Sequence, residues 1–406
     1  MIINFADKSL LGIAAQPIMK DLNLAPSRYG MIASSFFLLF SISSLIVGFL
    51  TEKYPTKKIL LIMAAVWTVT QCIMFSPMAG VWTLLLTRIL LGAAEGPSYG
   101  VTNHAAMKWF PVKRRGIVTA ALGVAVPTGT MLASPIVGNL VATAGWRTAF
   151  LLLGITSLAW GLVWFRIGSE GPFDDSADRQ KAGPLRKVAY RHIFLTRTFI
   201  GSLVGGIASY WSVVLLISWV PLYLATTKGL DPGEVGWAFS VPWGVQILAI
   251  AIIGGGISTW LINRGVSTRW ARGALAGAAV TLSGVAMILF VLAEDGIAKV
   301  VLMAIAFGLS GCAIPISQAI NAEISPNSQR GGVLGAYVAV YSITGVVAPA
   351  ATGALVESAE TPLAGYNQMF IFSAILLIVG GLVYAGLVNP EKDAKRIAEI
   401  NIENKN

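Results

Sequence analysis

The 406-residue chain is short of charge. Asp, Glu, Lys and Arg make up 12% of it, about half the usual quarter. A soluble domain of this size could not cover its surface with so few charged groups. Cysteine is scarcer still: Cys72 and Cys312 both sit in apolar runs, which excludes a disulfide framework or a thiolate cluster. No Walker sequence, Ser/His/Asp set or metal-ligand spacing occurs in the apolar runs. An enzyme, an ATP-driven pump and a resident metal or cofactor are therefore not expected. What is abundant is apolar. The set AVILMFWYC reaches 55%, glycine adds 43 positions, and mean hydropathy is +0.73. Disorder and coiled coil are excluded, leaving an all-α polytopic membrane protein.

Apolar runs fall near 1–19, 29–50, 59–80, 81–107, 116–139 and 147–167, then at 198–225, 236–262, 273–293, 297–322, 331–356 and 367–388. This predicts twelve spans. The polar stretch 168–197 divides them into an N-terminal six-helix bundle (1–167) and a C-terminal one (198–388), followed by a tail (389–406). With the loop after the second span placed in the cytoplasm, 22 of the 29 Lys and Arg lie on that side and five on the other. Basic residues favour the cytoplasmic side, so both termini are expected inside, in an inner or plasma membrane. The excess of ten positive charges is therefore loop charge facing the bilayer and cytoplasm, and no nucleic-acid partner is expected. The chain is expected to work as a monomer.

The halves repeat weakly. Leu24-Ala-Pro26-Ser-Arg-Tyr-Gly30 matches Leu230-Asp-Pro232-Gly-Glu-Val-Gly236; Arg115-Gly116 matches Arg330-Gly331; and Gly145 to Phe150 matches Gly365 to Phe370. Duplicated six-helix halves joined by a cytoplasmic loop suggest a transporter with its site near the midplane. In the seventh run about 22 residues precede Pro221, whereas 16 precede its counterpart Pro17. The first helix is thus expected to be a turn or two short, from a late-called start or a trimmed N-terminus.

Several motifs make a resemblance specific. Gly48-Phe-Leu-Thr-Glu52-Lys53-Tyr-Pro-Thr-Lys57-Lys58 resembles the gating loop between the second and third helices of the major facilitator superfamily. Asn4-Phe5-Ala-Asp7-Lys8 resembles the first-helix signature of its anion:cation symporter branch, with Lys8 where arginine is usual. Arg88-Ile-Leu-Leu-Gly92-Ala-Ala-Glu95-Gly96, Trp109-Phe110-Pro111 and Trp219-Val-Pro221-Leu-Tyr223 are similar to further segments of that branch. It includes permeases for sugar acids, aromatic acids and other carboxylates.

The residues say much the same without the family. Asp7 and Lys8 lie in the first span, Arg88 and Glu95 in the fourth. Charge at membrane depth costs a few kcal/mol or more and is functional by default. Arg88 and Glu95 are two helical turns apart, roughly 10 Å along one face. That is too far for a bond and suits two groups lining one cavity. A cation in a low-dielectric site receives a carboxylate, and arginine does so bidentately. A buried acid exchanges protons nearer neutral pH than an exposed one. The resemblance implies that Asp7 and Glu95 carry protons, the only coupling ion expected, while Lys8 and Arg88 bind the substrate carboxylate. The competing structural reading is a set of ion pairs locking the first and fourth helices.

For the substrate, sugar-acid members of the branch place hydroxyl-binding groups where this chain has Phe5, Val126 and Val338 or Ser342. Candidate cavity residues are Tyr210, Trp211, Trp243 and Tyr337, with Gln246 and Gln318 as polar contacts. A pocket without hydrogen-bonding partners rejects hydroxyl-rich ligands. An aromatic or poorly hydroxylated carboxylate is therefore expected, imported with protons by alternating access. Competing functions are efflux of amphipathic compounds on the same fold and a non-transporting carboxylate sensor.

Overall fold

The computed structural model describes residues 2–51, 54–111, 115–173, 188–326 and 329–403. Among these residues there are helices and short connections but no strand. Hydrocarbon supplies no hydrogen bonds, so a spanning segment must satisfy its backbone internally. Ten stretches are long and apolar enough to cross a membrane. They are the spans predicted from sequence, with the first and fourth missing.

Those two are helical but split. The first is α1 (Ile2–Ile13) and α2 (Ala15–Asp21), after which come α3 (Pro26–Leu50) and α4 (Thr56–Cys72). The fourth is α5 (Val81–Glu95) and α6 (Ser98–Met107). α7 (Arg115–Ala144) and α8 (Trp146–Ile167) complete the first six spans. Pro17 and Pro97 stand beside the breaks, where a missing N–H interrupts the helical ladder. The seventh and tenth spans are also interrupted, beside Pro221 and Pro315, but each keeps a stretch long enough to cross; the two that do not are the two that carry charge. With them the count is twelve helical spans.

The second six begin after a short α9 (Tyr190–Phe194). The seventh span is α10 (Arg197–Ser218) and α11 (Val220–Lys228), and the eighth runs through α12 (Pro232–Ala249) to α13 (Ser258–Asn263). A π-helical stretch, Ile250–Ile257, joins these last two across Gly254, Gly255 and Gly256. α14 (Leu275–Leu292), then α15 (Ile297–Gly308) with α16 (Ala313–Glu323), α17 (Arg330–Ser342) with α18 (Thr344–Ser358), and α19 (Pro362–Leu387) follow. The tail forms a further helix, α20 (Pro390–Glu403).

Packing groups the chain into two compact units whose boundary differs from a cut at the central loop. Unit 1 is Met1–Gly183, Val214–Val241 and Gly345–Tyr366; unit 2 is Pro184–Val213, Pro242–Thr344 and Asn367–Asn406. The repeated sequence motif explains why unit 1 takes in parts of the second half. A Cβ on Gly30 would overlap the Pro349 carbonyl, and one on Gly353 would meet the Pro26 carbonyl. In the matching motif, a Cβ on Gly236 would overlap the Ser134 carbonyl, and one on Gly138 the Pro232 carbonyl. Small residues let helices close to backbone contact in a membrane. The Pro-x-x-x-Gly repeat thus marks two equivalent contacts, α3 on α18 and α12 on α7. Nearby, the Tyr29 hydroxyl reaches the Ser218 carbonyl at 2.9 Å, and the Trp219 indole donates to the Pro349 carbonyl at 3.1 Å.

Within its spans unit 2 is tied by buried neutral groups, and the ion pair Arg272–Glu323 lies part-exposed at the span ends. Ser202 donates to the Asn321 side chain at 3.2 Å, and Ser317 and Tyr384 share a hydrogen bond of 2.9 Å. α20 turns its apolar stripe inward. Ile397 is buried in a cluster with Val188, Ile193, Phe199, Ile324 and Val333, and Asp393 accepts the Thr198 backbone N–H at 2.9 Å. That carboxylate answers an orphan donor at the start of α10.

Candidate functional site

The four charges predicted from sequence come together inside unit 1. α1 presents Asp7 and Lys8, and α5 presents Arg88 and Glu95. Asp7 and Glu95 are completely buried, and Arg88 is 1% exposed. The approach of α5 to α3 makes this possible: a Cβ on Gly92 or Gly96 would overlap the carbonyls of Phe36 or Phe40. The same residues of α3 floor the site. Lys8 Nζ lies 5.2 Å from the Phe40 ring centre and 6.0 Å from that of Phe36.

Within the cluster the charges are not equally engaged. Lys8 Nζ is 3.2 Å from Glu95 Oε2, an ion pair whose alignment falls outside hydrogen-bond geometry. This pair matches the locking role weighed above. Arg88 and Asp7 are different. The Arg88 guanidinium lies over the Phe150 ring of α8, 5.2 Å from its centre, and its Nε and Nη2 have no hydrogen-bond partner. Neither carboxylate oxygen of Asp7 has one. Buried polar groups without partners cost free energy, and such exceptions concentrate where a ligand or proton must be received.

Sequence reading missed two members of this neighbourhood. Gln71, on α4, is completely buried beside Asp7, and both its amide atoms lack a partner. Tyr29, on α3, is completely buried within the field of Arg88. Each is an uncharged polar residue near other polar residues of its span, a signal too common to stand out.

The other candidates are placed as follows. Phe5 lies on α1, and its side chain is outside the described ones. Tyr210 packs at a tilt against Tyr341 with ring centres 4.7 Å apart. Trp211 donates its indole N–H to Ser373 at 3.1 Å and packs on Phe372, so it ties α10 to α19. Trp243 and Gln246 are buried on α12, the latter against Gly311. Gln318 is half-buried. Tyr337 is buried against Gly206 and edge-on to Tyr341 at 5.1 Å. Apart from Phe5, which is in unit 1, these residues belong to unit 2, where hydroxyl and amide groups accompany the aromatics.

Of the loop motif, Glu52 and Lys53 lie outside the described residues, and Gly48 is within α3. Lys57 serves through its backbone, which donates to Glu170 at 3.0 Å. Glu170 was hidden in the polar stretch after the sixth span. It accepts from the Thr56 hydroxyl at 2.9 Å and pairs with Lys108 at 2.5 Å, joining the starts and ends of three spans. Partial burial opposes its charge, but the bonds from Lys108, the Lys57 backbone and Thr56 outweigh this and hold its carboxyl below the usual range.

The comparisons with known proteins agree with the fold and the charge. The hexuronate transporter of Bacillus subtilis (strain 168) is 27% identical over 95% of this chain and 90% of its own. A probable sulfoacetate transporter of Cupriavidus necator is 26% identical over 96% and 91%. Among solved structures, a bacterial homologue of the human lysosomal transporter Spinster superposes with a TM-score of 0.76 at 16% identity, covering 97% of this chain and 95% of that one; this likeness bears on the fold alone. The relatives transport small organic anions, and none is an enzyme. The Major Facilitator Superfamily model matches residues 1–314 and 265–401, and the chain belongs to that family of multi-pass membrane transporters.

Proposed function

We propose that the protein imports an organic carboxylate across the inner or plasma membrane by proton symport, with both termini in the cytoplasm. The observation that carries this reading is the unequal pairing inside unit 1. Glu95 holds Lys8, while Arg88 is buried with its Nε and Nη2 unpartnered and Asp7 is buried with neither carboxylate oxygen hydrogen-bonded. A proton on Glu95 removes the charge that holds Lys8, and a proton on Asp7 removes an anion from the field of Arg88. Two cations then stand uncompensated in a low-dielectric site, which favours entry of an anionic substrate. Departure of the substrate restores the acids' need to ionise. Binding and protonation are thereby linked, as symport requires.

The favoured substrate is a carboxylate with few hydroxyls, aromatic or small. Phe5 and Val126 offer no hydroxyl partners, nor does Val338 if it rather than Ser342 holds the third position, and a probable sulfoacetate transporter is among the relatives. A second reading, a hydroxylated sugar acid, draws on the buried hydroxyls of Ser317, Tyr337 and Tyr384 in unit 2 and on the hexuronate relative. A thermal-shift series of aromatic, small and sugar acids separates the two.

Transport itself is tested in vesicles with an imposed inward proton gradient. Uptake against a concentration gradient is expected, and Glu95→Gln is expected to abolish that accumulation while retaining substrate exchange. Unchanged accumulation in Glu95→Gln removes Glu95 from the coupling, and gradient-driven export by the unsubstituted protein overturns import.

A further inference from the structure

We propose that Gln71 is a positioning residue for Asp7: its side-chain amide serves as the neutral hydrogen-bonding partner of that carboxyl in both protonation states and thereby sets the pH range over which the transporter couples. The inference rests on the proton-symport reading above and adds to it a residue that motif reading does not reach.

The geometry is specific. Gln71 sits one residue before the end of α4 (Thr56–Cys72). Its stem is fixed by α8, where a Cβ added to Gly154 would come within 3.2 Å of Gln71 Cβ and would overlap Cys72. The amide end lies beside Asp7. Both side chains are completely buried. They are near enough to interact, yet neither is aligned with the other or with anything else as a hydrogen bond. A glutamine used only to tie helices would have its amide satisfied, as buried polar groups generally are.

Chemistry explains why an amide suits this place. It carries both donors and an acceptor. Towards an ionised Asp7 it offers N–H. Towards a protonated Asp7 it offers its carbonyl oxygen to the acid O–H, by a half-turn of the terminal torsion. A second acid would repel the carboxylate, and a base would hold it permanently ionised. The ionisable groups around Asp7 are Lys8 on its own helix and Arg88 and Glu95 on α5. The neighbouring faces add two phenols, Tyr29 at the start of α3 and Tyr223 on α11, and no carboxyl, amine or guanidinium along the stretches that pack there. α7 has no ionisable residue from Gly116 to Ala144, α8 none from Thr148 to Phe165, α4 none from Ile59 to Gln71, and α3 none from Gly30 to Leu50. Gln71 is therefore the group that adjusts Asp7 without adding charge.

The test is the pH profile of proton-driven uptake in vesicles, comparing the unsubstituted protein with Gln71→Met, which keeps the volume and removes the amide. Hydrogen bonds to an ionised group are stronger than those to a neutral one, so losing the amide disfavours ionised Asp7. The midpoint of uptake is expected to move to higher pH by about one unit. In an Asp7→Asn background, where transport is read as substrate exchange rather than accumulation, the same change is expected to move the pH dependence no further. If Gln71→Met does not reach the membrane, Gln71→Asn, with its amide withdrawn by one methylene, is expected to shift the midpoint in the same direction. An unchanged midpoint in the variant that inserts, or an equal shift without Asp7, overturns the proposal. If the unsubstituted protein shows no proton dependence at all, it is the symport reading that falls.

Discussion

The interiors of the two units are polar in different ways. Unit 1 buries Asp7, Arg88 and Glu95 at membrane depth, together with Gln71. The buried polar side chains of unit 2 are serines, threonines, tyrosines and amides, and its one buried charge among the described residues, Asp393, belongs to the tail helix outside the spans. The energetic consequences diverge. An interhelical hydrogen bond between neutral groups in a membrane contributes about 0.6 kcal/mol on average, enough to fix register and little more. A buried charge costs several times that. Packing alone does not account for unit 1, because an apolar helix pair would close as well or better. Unit 2 needs no explanation beyond helix ties or contacts to substrate hydroxyls.

The comparison is sharpened most by removing the buried cation, Arg88, whose Nε and Nη2 lack hydrogen-bond partners. Arg88→Ala is expected to weaken binding of a carboxylate by at least about a hundredfold, since an anion in a dry site would lose its charge partner. Arg88→Lys is expected to recover part of this, because a point charge replaces a fork. Calorimetric titration of the purified protein reads both. Retained affinity in Arg88→Ala would move the anion site elsewhere and leave the buried charges as structural pairs.

A smaller effect is expected from the neutral side. Asn321→Ala removes the acceptor of the Ser202 hydroxyl and is expected to cost about 1 kcal/mol of stability, read as a lower unfolding midpoint in detergent. The pH midpoint of uptake should stay in place. A displaced midpoint would mean that unit 2 also takes part in proton coupling, and the contrast between the units would fail.

Much of this was legible in the sequence because the membrane penalises error. Twelve apolar runs foretell twelve helical spans, and four charges at depth foretell the cluster, since Asp7, Lys8, Arg88 and Glu95 have no inexpensive alternative place. The repeated Pro-x-x-x-Gly also carried structural information, though its meaning as backbone contact needed the partners Pro349 and Ser134. Other features were hidden for physical reasons. Which cation Glu95 would choose depends on the approach of α1 to α5, which spacing along one helix does not reveal. Gln71 costs little to place in an apolar run, so composition does not flag it. Trp211 read as a cavity residue because an aromatic on a helix has no sequence mark of direction, whereas its indole is taken up by Ser373. Sequence reading assigns the tail (389–406) no structure of its own, whereas Ile397 and Asp393 fall on the inner face of a helix.

The least effect is expected where charge meets water. Glu170 belongs to unit 1 as Glu95 does, and it is similarly paired with a lysine, at 2.5 Å, yet its side chain is 27% exposed. Solvent screens such a pair, so Glu170→Gln is expected to lower stability by under about 1 kcal/mol while leaving the buried cluster intact. The pH dependence gives the sign. The carboxyl is held below its ordinary range by Lys108, the Lys57 backbone and Thr56, against the opposing effect of burial. Its contribution is therefore fully present above the unfolded carboxylate value of about 4.3 and fades as pH falls through the lower folded value. In unfolding scans between pH 7 and pH 3, the gap between the unsubstituted protein and Glu170→Gln should narrow at the acid end. A gap that stays constant would show that the contact stabilises through hydrogen bonding alone. A stability loss well above about 1 kcal/mol would show that the pair behaves as a buried one despite its exposure.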